Sequence, residues 1–473
     1  MPDPQQYDVV VVGGGPGGYA AALYGANAGL SFAVVERDKV GGTCLHRGCI
    51  PAKEFLETAS VYRTVAGAKE FGVQSSQPTV EFATSQARKQ KVVDTLWKGL
   101  AGLMRSRKID IFEGSGRLDA DGVVRVTDGA AAGTELRGTH TVLAAGSVPR
   151  TIPGFDIDGR TVITSDELLM LEELPASAAV IGGGAIGCEF ASMMADLGTQ
   201  VTILEVLPKI LPGCDADIAN VVERSFKRRG IEIRTGVQVH GHTPGDGGTT
   251  VNFGDDQSVA VDAVVVAIGR RPRSEGLLGD GTGLELDDRG FVPVDARMRT
   301  TRDGVYAVGD LVSLSEGVHP QLAHVGFAEG IVVVKDILGE PVVPVDYGRV
   351  PWCVYCHPEV AFAGMTEQAA REAGIDVVAK RMPGGHNGRA LILGETDAMV
   401  KVIAEKGPDG RAGRVLGVHM VGPWVTEQLG QGYLSVNWEA TVDEVAHFIQ
   451  PHPTLSETFG EAMLALTGRG LHG

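Results

Sequence analysis

Two stretches of the chain repeat the same order of apolar, glycine and polar positions. Residues 8–36 and 179–205 each run through an apolar stretch, a glycine cluster, small residues at helical spacing and a second apolar stretch that ends in a glutamate. In both copies 23 positions separate the first glycine of a GxGxxG motif from that glutamate, from 13 to 36 and from 182 to 205. This order predicts a strand, a tight turn, a helix and a second strand in each copy.

Each copy is typical of a dinucleotide-binding unit. The glycines permit a tight turn and let the backbone approach a pyrophosphate, while the helix begins with unpaired N–H groups that attract phosphate. A glutamate at the end of the second strand accepts from a ribose hydroxyl and repels a 2′-phosphate, which favours FAD or NAD over NADP. The alternative is that both segments are glycine turns that bind no ligand. Two copies with the same spacing from glycine to glutamate argue against this alternative. The residues are Gly13, Gly15, Gly18 and Glu36, and Gly182, Gly184, Gly187 and Glu205.

Three further apolar runs end in glycine. Residues 142–149 read VLAAGSVP and residues 265–272 read VVAIGRRP, each with a proline three positions after the glycine. Both fit strands that return to the two predicted sheets. Residues 305–310 read VYAVGD, and a carboxylate directly after a buried strand suits a hydroxyl-rich ligand; the alternative for Asp310 is a helix cap.

Two cysteines follow the first repeat, within GGTCLHRGCIPAK at residues 41–53. In a continuous helix Cys44 and Cys49 would lie beyond the ~7 Å Cα separation that a disulfide tolerates, so a bridge requires a distorted segment, which the glycines permit. A ring this short would add only about 2 kcal/mol of stability, so a redox role suits it better than a structural one. Two unrelated free thiols remain the alternative.

Composition and charge exclude several classes of protein. The chain has 473 residues, a formal net charge of −17 and six cysteines. The acidic balance argues against nucleic acid or an anionic membrane as the main partner, and so few cysteines do not form a disulfide scaffold. No apolar run reaches the ~20 residues of a membrane span, and the start lacks the basic and apolar pattern of a signal peptide, so we expect a cytoplasmic protein.

A histidine near the end of the sequence is a candidate base. Residues 450–460 read QPHPTLSETFG, in which prolines flank His452 and Glu457 follows five positions later. Histidine can accept a proton from a thiol at physiological pH, and a carboxylate can hold its tautomer. Taken alone, a histidine between prolines is more often a surface turn residue.

In combination, these motifs resemble the flavin-dependent pyridine nucleotide–disulfide oxidoreductases. The resemblance runs in order through both glycine units, GGTCLHRGCIPAK, TTRDGVYAVGD and HPTLSE, and covers nearly the whole chain. Three stretches, LEVLPKILPGCDADIA, VYCHPEVAFAGMTEQAA and HPTLSE itself, are most similar to the members that oxidise dihydrolipoamide with NAD⁺.

The resemblance implies an α/β fold with two Rossmann-like dinucleotide-binding domains and an α+β interface domain that forms a homodimer. The implied segments are 1–150 and 271–345 for FAD, 151–270 for NAD and 346–473 for the interface. The implied FAD residues are Gly13, Gly15, Gly18, Glu36, Gly42, Thr43, Lys53, Gly116, Gly146, Asp310, Ala323 and His324, and the implied NAD residues are Gly182, Gly184, Gly187, Glu189, Glu205 and Gly269.

The resemblance also implies the chemistry. Cys44 and Cys49 form the redox disulfide, and His452 from the partner subunit, oriented by Glu457, accepts the thiol proton. No metal is implied, and the external partner is a lipoyl-bearing acyltransferase or carrier protein. Two other functions stay open: an NAD(P)H-dependent reductase of another small disulfide, and a non-catalytic subunit that binds FAD and NAD.

Three details depart from or compete with this pattern. His46 and Arg47 stand where the family more often has Asn and Val, and we expect Arg47 to lower the pKa of a neighbouring thiol, with a solvent-facing guanidinium as the alternative. Residues 353–357 read CVYCH and satisfy a haem-attachment pattern, but they fall within the family's VYxHPEVA stretch, so we expect no haem there. We also expect no zinc, because no second pair of ligands appears nearby in the sequence.

Overall fold

The protein is described by a computed structural model over residues 3–472. This part of the chain divides into two compact units, each built from separate segments. The first unit comprises residues 3–54, 83–150 and 269–347, and the second comprises residues 55–82, 151–268 and 348–472.

The strands and helices alternate through much of the chain. The strands are β1 (Gln5–Val12), β2 (Phe32–Glu36), β3 (Asp110–Glu113), β4 (Gly116–Leu118), β5 (Val123–Val126), β6 (Glu135–Leu143), β7 (Ser147–Pro149), β8 (Val162–Thr164), β9 (Ser177–Ile181), β10 (Gln200–Glu205), β11 (Glu232–Thr235), β12 (Val239–Gly245), β13 (Gly248–Phe253), β14 (Gln257–Val261), β15 (Ala263–Val266), β16 (Arg270–Pro272), β17 (Val292–Val294), β18 (Val305–Ala307), β19 (Val312–Leu314), β20 (Trp352–Val354), β21 (Glu359–Gly364), β22 (Val377–Pro383), β23 (Met399–Lys406) and β24 (Ala412–Gly422).

The helices are α1 (Pro16–Asn27), α2 (Gly42–Arg47), α3 (Cys49–Gly67), α4 (Phe82–Ser106), α5 (Ser165–Leu168), α6 (Ala185–Asp196), α7 (Ala216–Arg228), α8 (Ala323–Ile337), α9 (Glu367–Glu372), α10 (Gly388–Leu393), α11 (Val425–Gln428), α12 (Gly430–Asn437), α13 (Val442–Ala446) and α14 (Glu457–Leu466). Short 3₁₀ turns cover Ala68–Phe71, Gly309–Leu311 and Gly384–His386.

A seven-stranded sheet forms the centre of the first unit. Its order is β3-β2-β1-β6-β5-β4, and β18 also pairs with β6, along the residues Thr141–Leu143. β1 pairs in parallel with both β2 and β6, and β18 pairs in parallel with β6. The valines Val9–Val12 are buried, as expected for a parallel strand that is covered on both faces.

The second unit contains a parallel sheet of the same kind and two antiparallel sheets. The parallel sheet has the order β11-β10-β9-β15-β8, and the antiparallel sheets have the orders β12-β13-β14 and β20-β21-β24-β23-β22. The strand β9 is the apolar run before the second glycine motif. The strand β15 reaches into the predicted run VVAIGRRP, and β18 begins the run VYAVGD. The predicted α/β class, with two glycine-turn units and a further α+β part, is confirmed.

Candidate functional site

The first glycine turn, residues 13–18, requires glycine at the positions where another part of the backbone comes too close for a side chain. Gly13 has a φ of +109°, and a Cβ there would overlap the carbonyl oxygen of Ala144 at the end of β6. A Cβ at Gly18 would overlap the carbonyl oxygen of Gly13. Gly15 precedes α1, and no side chain caps the first N–H groups of that helix. These groups can therefore receive a phosphate.

Glu36 holds the same turn from the end of β2. Its Oε2 accepts a hydrogen bond from the Gly14 N–H at 2.7 Å, and its Oε1 accepts from the Asp38 N–H at 3.0 Å. A carboxylate has about four acceptor positions, so Glu36 still has the capacity to accept from a ribose hydroxyl.

The helix α2 starts directly against this turn. The Gly41 N–H donates to the Gly14 carbonyl at 2.8 Å. A Cβ at Gly42 would lie 2.6 Å from the Cα of Gly15, so a larger residue at position 42 would push α2 away. Thr43 follows in the first turn of α2, and Leu45 buries the inner face of this helix.

Cys44 and Cys49 form a disulfide with a Cα separation of 4.7 Å. The distortion that the spacing requires lies at Gly48, which separates α2 from α3 with φ −147° and ψ −109°. Cys49 is the first residue of α3, and Lys53 lies one turn later in the same helix. The disulfide therefore joins α2 to the first residue of α3, and α2 starts against the first glycine turn.

Asp310 does not cap a helix. Its Oδ2 accepts from the Ser147 hydroxyl at 2.5 Å, and the Arg270 Nε–H donates to the same hydroxyl oxygen at 2.6 Å. The Arg270 guanidinium lies 3.8 Å from the Asp310 carboxylate. Sequence reasoning missed Ser147 and Arg270, although both lie within the VLAAGSVP and VVAIGRRP segments that it singled out.

A buried group supports the backbone next to Asp310. The Glu329 carboxylate accepts from the Gly309 N–H at 2.6 Å and from the Tyr347 hydroxyl at 2.6 Å. His319 Nε2 lies 2.8 Å from the same carboxylate. Burial, followed by the Glu329 charge, raises the pKa of Tyr347, which keeps this hydroxyl a donor. No local motif predicted this group, because its members lie 10 to 20 positions away from Glu329.

The other predicted FAD residues occupy the same unit. Gly116 begins β4, where a Cβ would lie 2.9 Å from a methyl group of Val12. Gly146 has a φ of +71° between β6 and β7. Ala323 and His324 form the N-terminus of α8. Their roles toward a cofactor stay predictions.

The second glycine turn, residues 182–187, repeats the first within the second unit. Gly182 has a φ of +105°, and a Cβ at Gly187 would overlap the Gly182 carbonyl oxygen. Glu205 is buried, and its two oxygens accept from the Gly183 N–H at 2.6 Å and the Leu207 N–H at 2.7 Å. A Cβ at Gly184 would meet no atom within 4 Å, so space is open at the start of α6.

Two further residues were predicted for NAD. Glu189 is buried in α6, and its Oε1 accepts from the Tyr355 N–H at 2.8 Å. Gly269 has a φ of +104°, and its carbonyl accepts from the Arg150 N–H at 2.9 Å. A role in nucleotide binding stays a prediction for both residues.

His452 and Glu457 form a pair in the second unit. His452 Nδ1 lies 2.7 Å from Glu457 Oε1, and Glu457 Oε2 accepts from the Thr454 N–H at 2.7 Å. Partial burial alone would raise the pKa of the Glu457 carboxyl, but the Thr454 N–H and His452 lower it below its usual value. Because the carboxylate only accepts, Nδ1 carries the hydrogen and Nε2 keeps a lone pair for a proton.

Residues of the CVYCH segment are engaged in packing and hydrogen bonds within the protein. The thiol of Cys356 is buried and donates to the Pro358 carbonyl at 3.2 Å, and the backbone N–H of His357 donates to the Ser192 hydroxyl. Burial, followed by the charges of Arg63 and Arg229, lowers the pKa of His357 to about 3, which keeps it neutral. Across residues 3–472, no group of three His, Cys, Asp or Glu side chains is arranged to hold a metal ion.

The comparisons with known proteins agree with this geometry. Residues 7–330 match the family described as pyridine nucleotide-disulphide oxidoreductase, and residues 350–463 match its dimerisation domain. The chain belongs to this family. The family's enzymes use FAD and NAD(H), and the dimerisation domain supports a homodimer.

Similar proteins span the whole chain. A protein of Bacillus subtilis named dihydrolipoyl dehydrogenase is 40% identical over 99% of both chains, and one of Rhizobium etli with the same name is 38% identical over 99% of both. Among solved structures, LpdA of Mycobacterium tuberculosis has a TM-score of 0.89 at 26% identity and covers 98% of this chain and 99% of its own. A Cu(II) complex of the HOCl-induced flavoprotein disulfide reductase RclA of Escherichia coli has a TM-score of 0.86 at 27% identity, with the same coverage.

The residues present fit the family's cofactors. In both turns the helix start lacks a side-chain cap, and a glutamate stands at the end of the second strand. FAD would be held at the first turn, where the disulfide lies, and NAD at the second. In the described residues no helix combines the length and the apolar character needed to cross a membrane.

Proposed function

We propose that this enzyme oxidises dihydrolipoamide to lipoamide and reduces NAD⁺ to NADH. The observation that carries the proposal is the Cys44–Cys49 disulfide beside the first glycine turn, in a chain whose relatives of 38–40% identity are named dihydrolipoyl dehydrogenase. FAD supplies two-electron exchange between the dithiol and the nicotinamide when both cofactors are bound. NAD⁺ is preferred over NADP⁺ because the Glu205 carboxylate would repel a 2′-phosphate.

The cysteines have different tasks in this proposal. A substrate thiolate attacks the Cys44 sulfur, and the Cys44–Cys49 bond breaks with Cys49 leaving as a thiolate. The first position of a helix stabilises a thiolate, which makes Cys49 the better leaving group. The second substrate thiol then attacks the mixed disulfide, closes the lipoamide ring and releases Cys44. The substrate loses two electrons and the protein dithiol gains them.

His452 is the proposed base, acting across a homodimer on the partner's disulfide. Its Nε2 takes the proton of the attacking thiol, and Glu457 stabilises the resulting imidazolium. The His452 side chain is 78% exposed in the single chain, as is suitable for a residue that completes a site with a second copy. The domain division, the FAD and NAD residue sets, a lipoyl-bearing partner chain and a cytoplasmic location are parts of the same proposal.

The test is an assay of NADH formation from dihydrolipoamide and NAD⁺. Cys49→Ser should abolish turnover and keep bound FAD, measured by flavin absorbance, because the glycine turn is untouched. Cys214→Ser, which replaces a free thiol, should keep turnover close to the wild type. Lipoamide turnover that survives in Cys49→Ser would contradict the proposal.

A second candidate is a reductase of another small disulfide. The fold shared with the Escherichia coli flavoprotein disulfide reductase favours it. NADH and NADPH oxidation should be compared with lipoamide, oxidised glutathione and a quinone as acceptors. Faster turnover with a disulfide other than lipoamide would favour this candidate.

A further inference from the structure

The helix α2 is too short to hold its own conformation. It has six residues, whereas isolated helices shorter than about 12 residues are marginal in water. It also starts at Gly41 without a side-chain cap and has no acidic residue in its first turn. The position of Cys44 therefore depends on contacts between α2 and the rest of the first unit.

Two side chains at the end of α2 make such contacts with the preceding loop, residues 37–41. His46 Nε2 donates to the Val40 carbonyl at 3.0 Å, since a carbonyl can only accept. Arg47 forms an ion pair with Asp38, in which both side chains are partly exposed. Both contacts tie the cysteine-bearing helix to the same loop.

The loop is itself fixed to the first glycine turn. The Asp38 N–H donates to Glu36, and the Gly41 N–H donates to the Gly14 carbonyl. The contacts of His46 and Arg47 thus connect Cys44 to the rigid strand and turn of the dinucleotide unit.

The pairing of Arg47 changes the interpretation of this residue. An unpaired guanidinium would lower the pKa of a neighbouring thiol, but the Asp38 carboxylate balances the Arg47 charge. A role in holding α2 fits this geometry better than a role in activating a thiol.

We propose that His46 and Arg47 are positioning residues that keep Cys44 close to Cys49 when both are reduced. In the oxidised protein the disulfide itself holds α2, so these contacts matter most in the dithiol. Without them the dithiol gains conformational freedom, the effective concentration of one thiol at the other falls, and the equilibrium shifts toward the dithiol. This inference rests on the proposed redox role of the cysteine pair.

The test measures the disulfide equilibrium of the holoenzyme in mixtures of dithiothreitol and its oxidised form. The reaction transfers two electrons and two protons from dithiothreitol to the Cys44–Cys49 disulfide. The thiols formed are labelled with maleimide and counted by mass spectrometry. The double variant His46→Asn with Arg47→Val should shift the equilibrium about tenfold toward the dithiol, or ~30 mV. Arg47→Val alone should give a smaller shift in the same direction.

Conservative variants separate positioning from general damage. His46→Gln and Arg47→Lys keep a donor and a charge, so they should restore most of the wild-type equilibrium. Arg289→Val removes another exposed arginine from the same unit and should leave the equilibrium unchanged. A double variant within twofold of the wild type, or an equal shift in Arg289→Val, would overturn the inference. Lipoamide is absent from this measurement, so inactivity toward lipoamide with the expected shift would contradict only the proposed function.

Discussion

The two glycine turns share a motif and differ in what covers them. At the first turn, Gly42 of α2 approaches Gly15. The helix α8 packs so closely on α1 that a Cβ at Gly330 would lie 2.6 Å from the Gly17 carbonyl oxygen. At the second turn, the space beside Gly184 is open, and Val206, just after Glu205, is 64% exposed. The covered turn suits a cofactor that stays bound, and the open turn suits a nucleotide that exchanges in each cycle.

The loops that follow the two glutamates also differ. The first is tied down by the partly exposed pair of Arg47 and Asp38. The second ends at Asp215, which caps the start of α7 and pairs with Lys401 at 2.9 Å, with both side chains only 3% exposed. Local sequence builds the same turn twice, while the surrounding chain decides how strongly each loop is anchored.

Replacing the third glycine of each motif should give the largest and most distinct effects. In Gly18→Ala the new Cβ overlaps the Gly13 carbonyl, so we expect loss of bound FAD and of all activity. In Gly187→Ala the same overlap falls on Gly182, so FAD should remain and NADH binding should be lost. Flavin absorbance and NADH titration measure the two outcomes.

Gly67→Ala is the matched control, because a Cβ there meets no atom within 4 Å and its φ is −86°. It should keep both cofactors. Loss of FAD in Gly187→Ala would contradict the separate assignment of the two turns.

Replacing Lys401 should lower the free energy of unfolding by more than replacing an exposed charged residue does. Lys401 also pairs with Asp217 at 2.7 Å and Glu367 at 2.8 Å, so Lys401→Met leaves three carboxylates together, one of them buried. We expect a loss of about 3–5 kcal/mol in the free energy of unfolding, measured by urea denaturation. Lys406→Met, which breaks an exposed pair with Asp376, should cost less than ~1 kcal/mol.

The pH dependence sharpens this prediction. Burial alone would raise the pKa of Asp215, but the Lys401 ammonium and the Asp217 N–H lower it below its usual value of 3.8. A lowered folded-state pKa adds stability that is complete above the unfolded-state value and is lost as the pH falls through the folded-state value. In Lys401→Met, burial without the ammonium favours the protonated acid, so the stability gap to the wild type should narrow from pH 7 to pH 4. A gap that stays constant would argue against the buried charge as its cause.

Exchanging the charge of Glu205 should have a smaller effect. Glu205→Gln keeps an acceptor for ribose and removes the repulsion of a 2′-phosphate, so the preference for NAD⁺ over NADP⁺ should fall about tenfold, or ~1.4 kcal/mol. The ratio of kcat/KM for the two nucleotides measures it. Glu36→Gln makes the same change in the first turn and should leave this ratio unaltered.

The sequence predicted the parts of the site that are local. GxGxxG with a glutamate 23 positions later specifies turn, helix and strand by short-range sterics, so both turns could be predicted, and so could the distortion between Cys44 and Cys49. The contacts of Ser147 with Asp310 and with Arg270 join segments more than 100 positions apart, and Lys401 meets Asp215 across 186 positions. No periodicity or spacing reports such pairings, because they depend on how the sheets are completed.

The first unit closes its central sheet late in the chain. β18 pairs with β6 but starts at Val305, roughly 160 residues after β6 ends at Leu143. At synthesis rates of about 5–20 residues per second, β6 waits roughly 8–30 s on the ribosome before its last neighbour exists. The parallel sheet of β8 to β15 is fully translated within that interval. In a nascent chain β6 of the first unit therefore still lacks β18, while all strands of the second parallel sheet are already present and can pair.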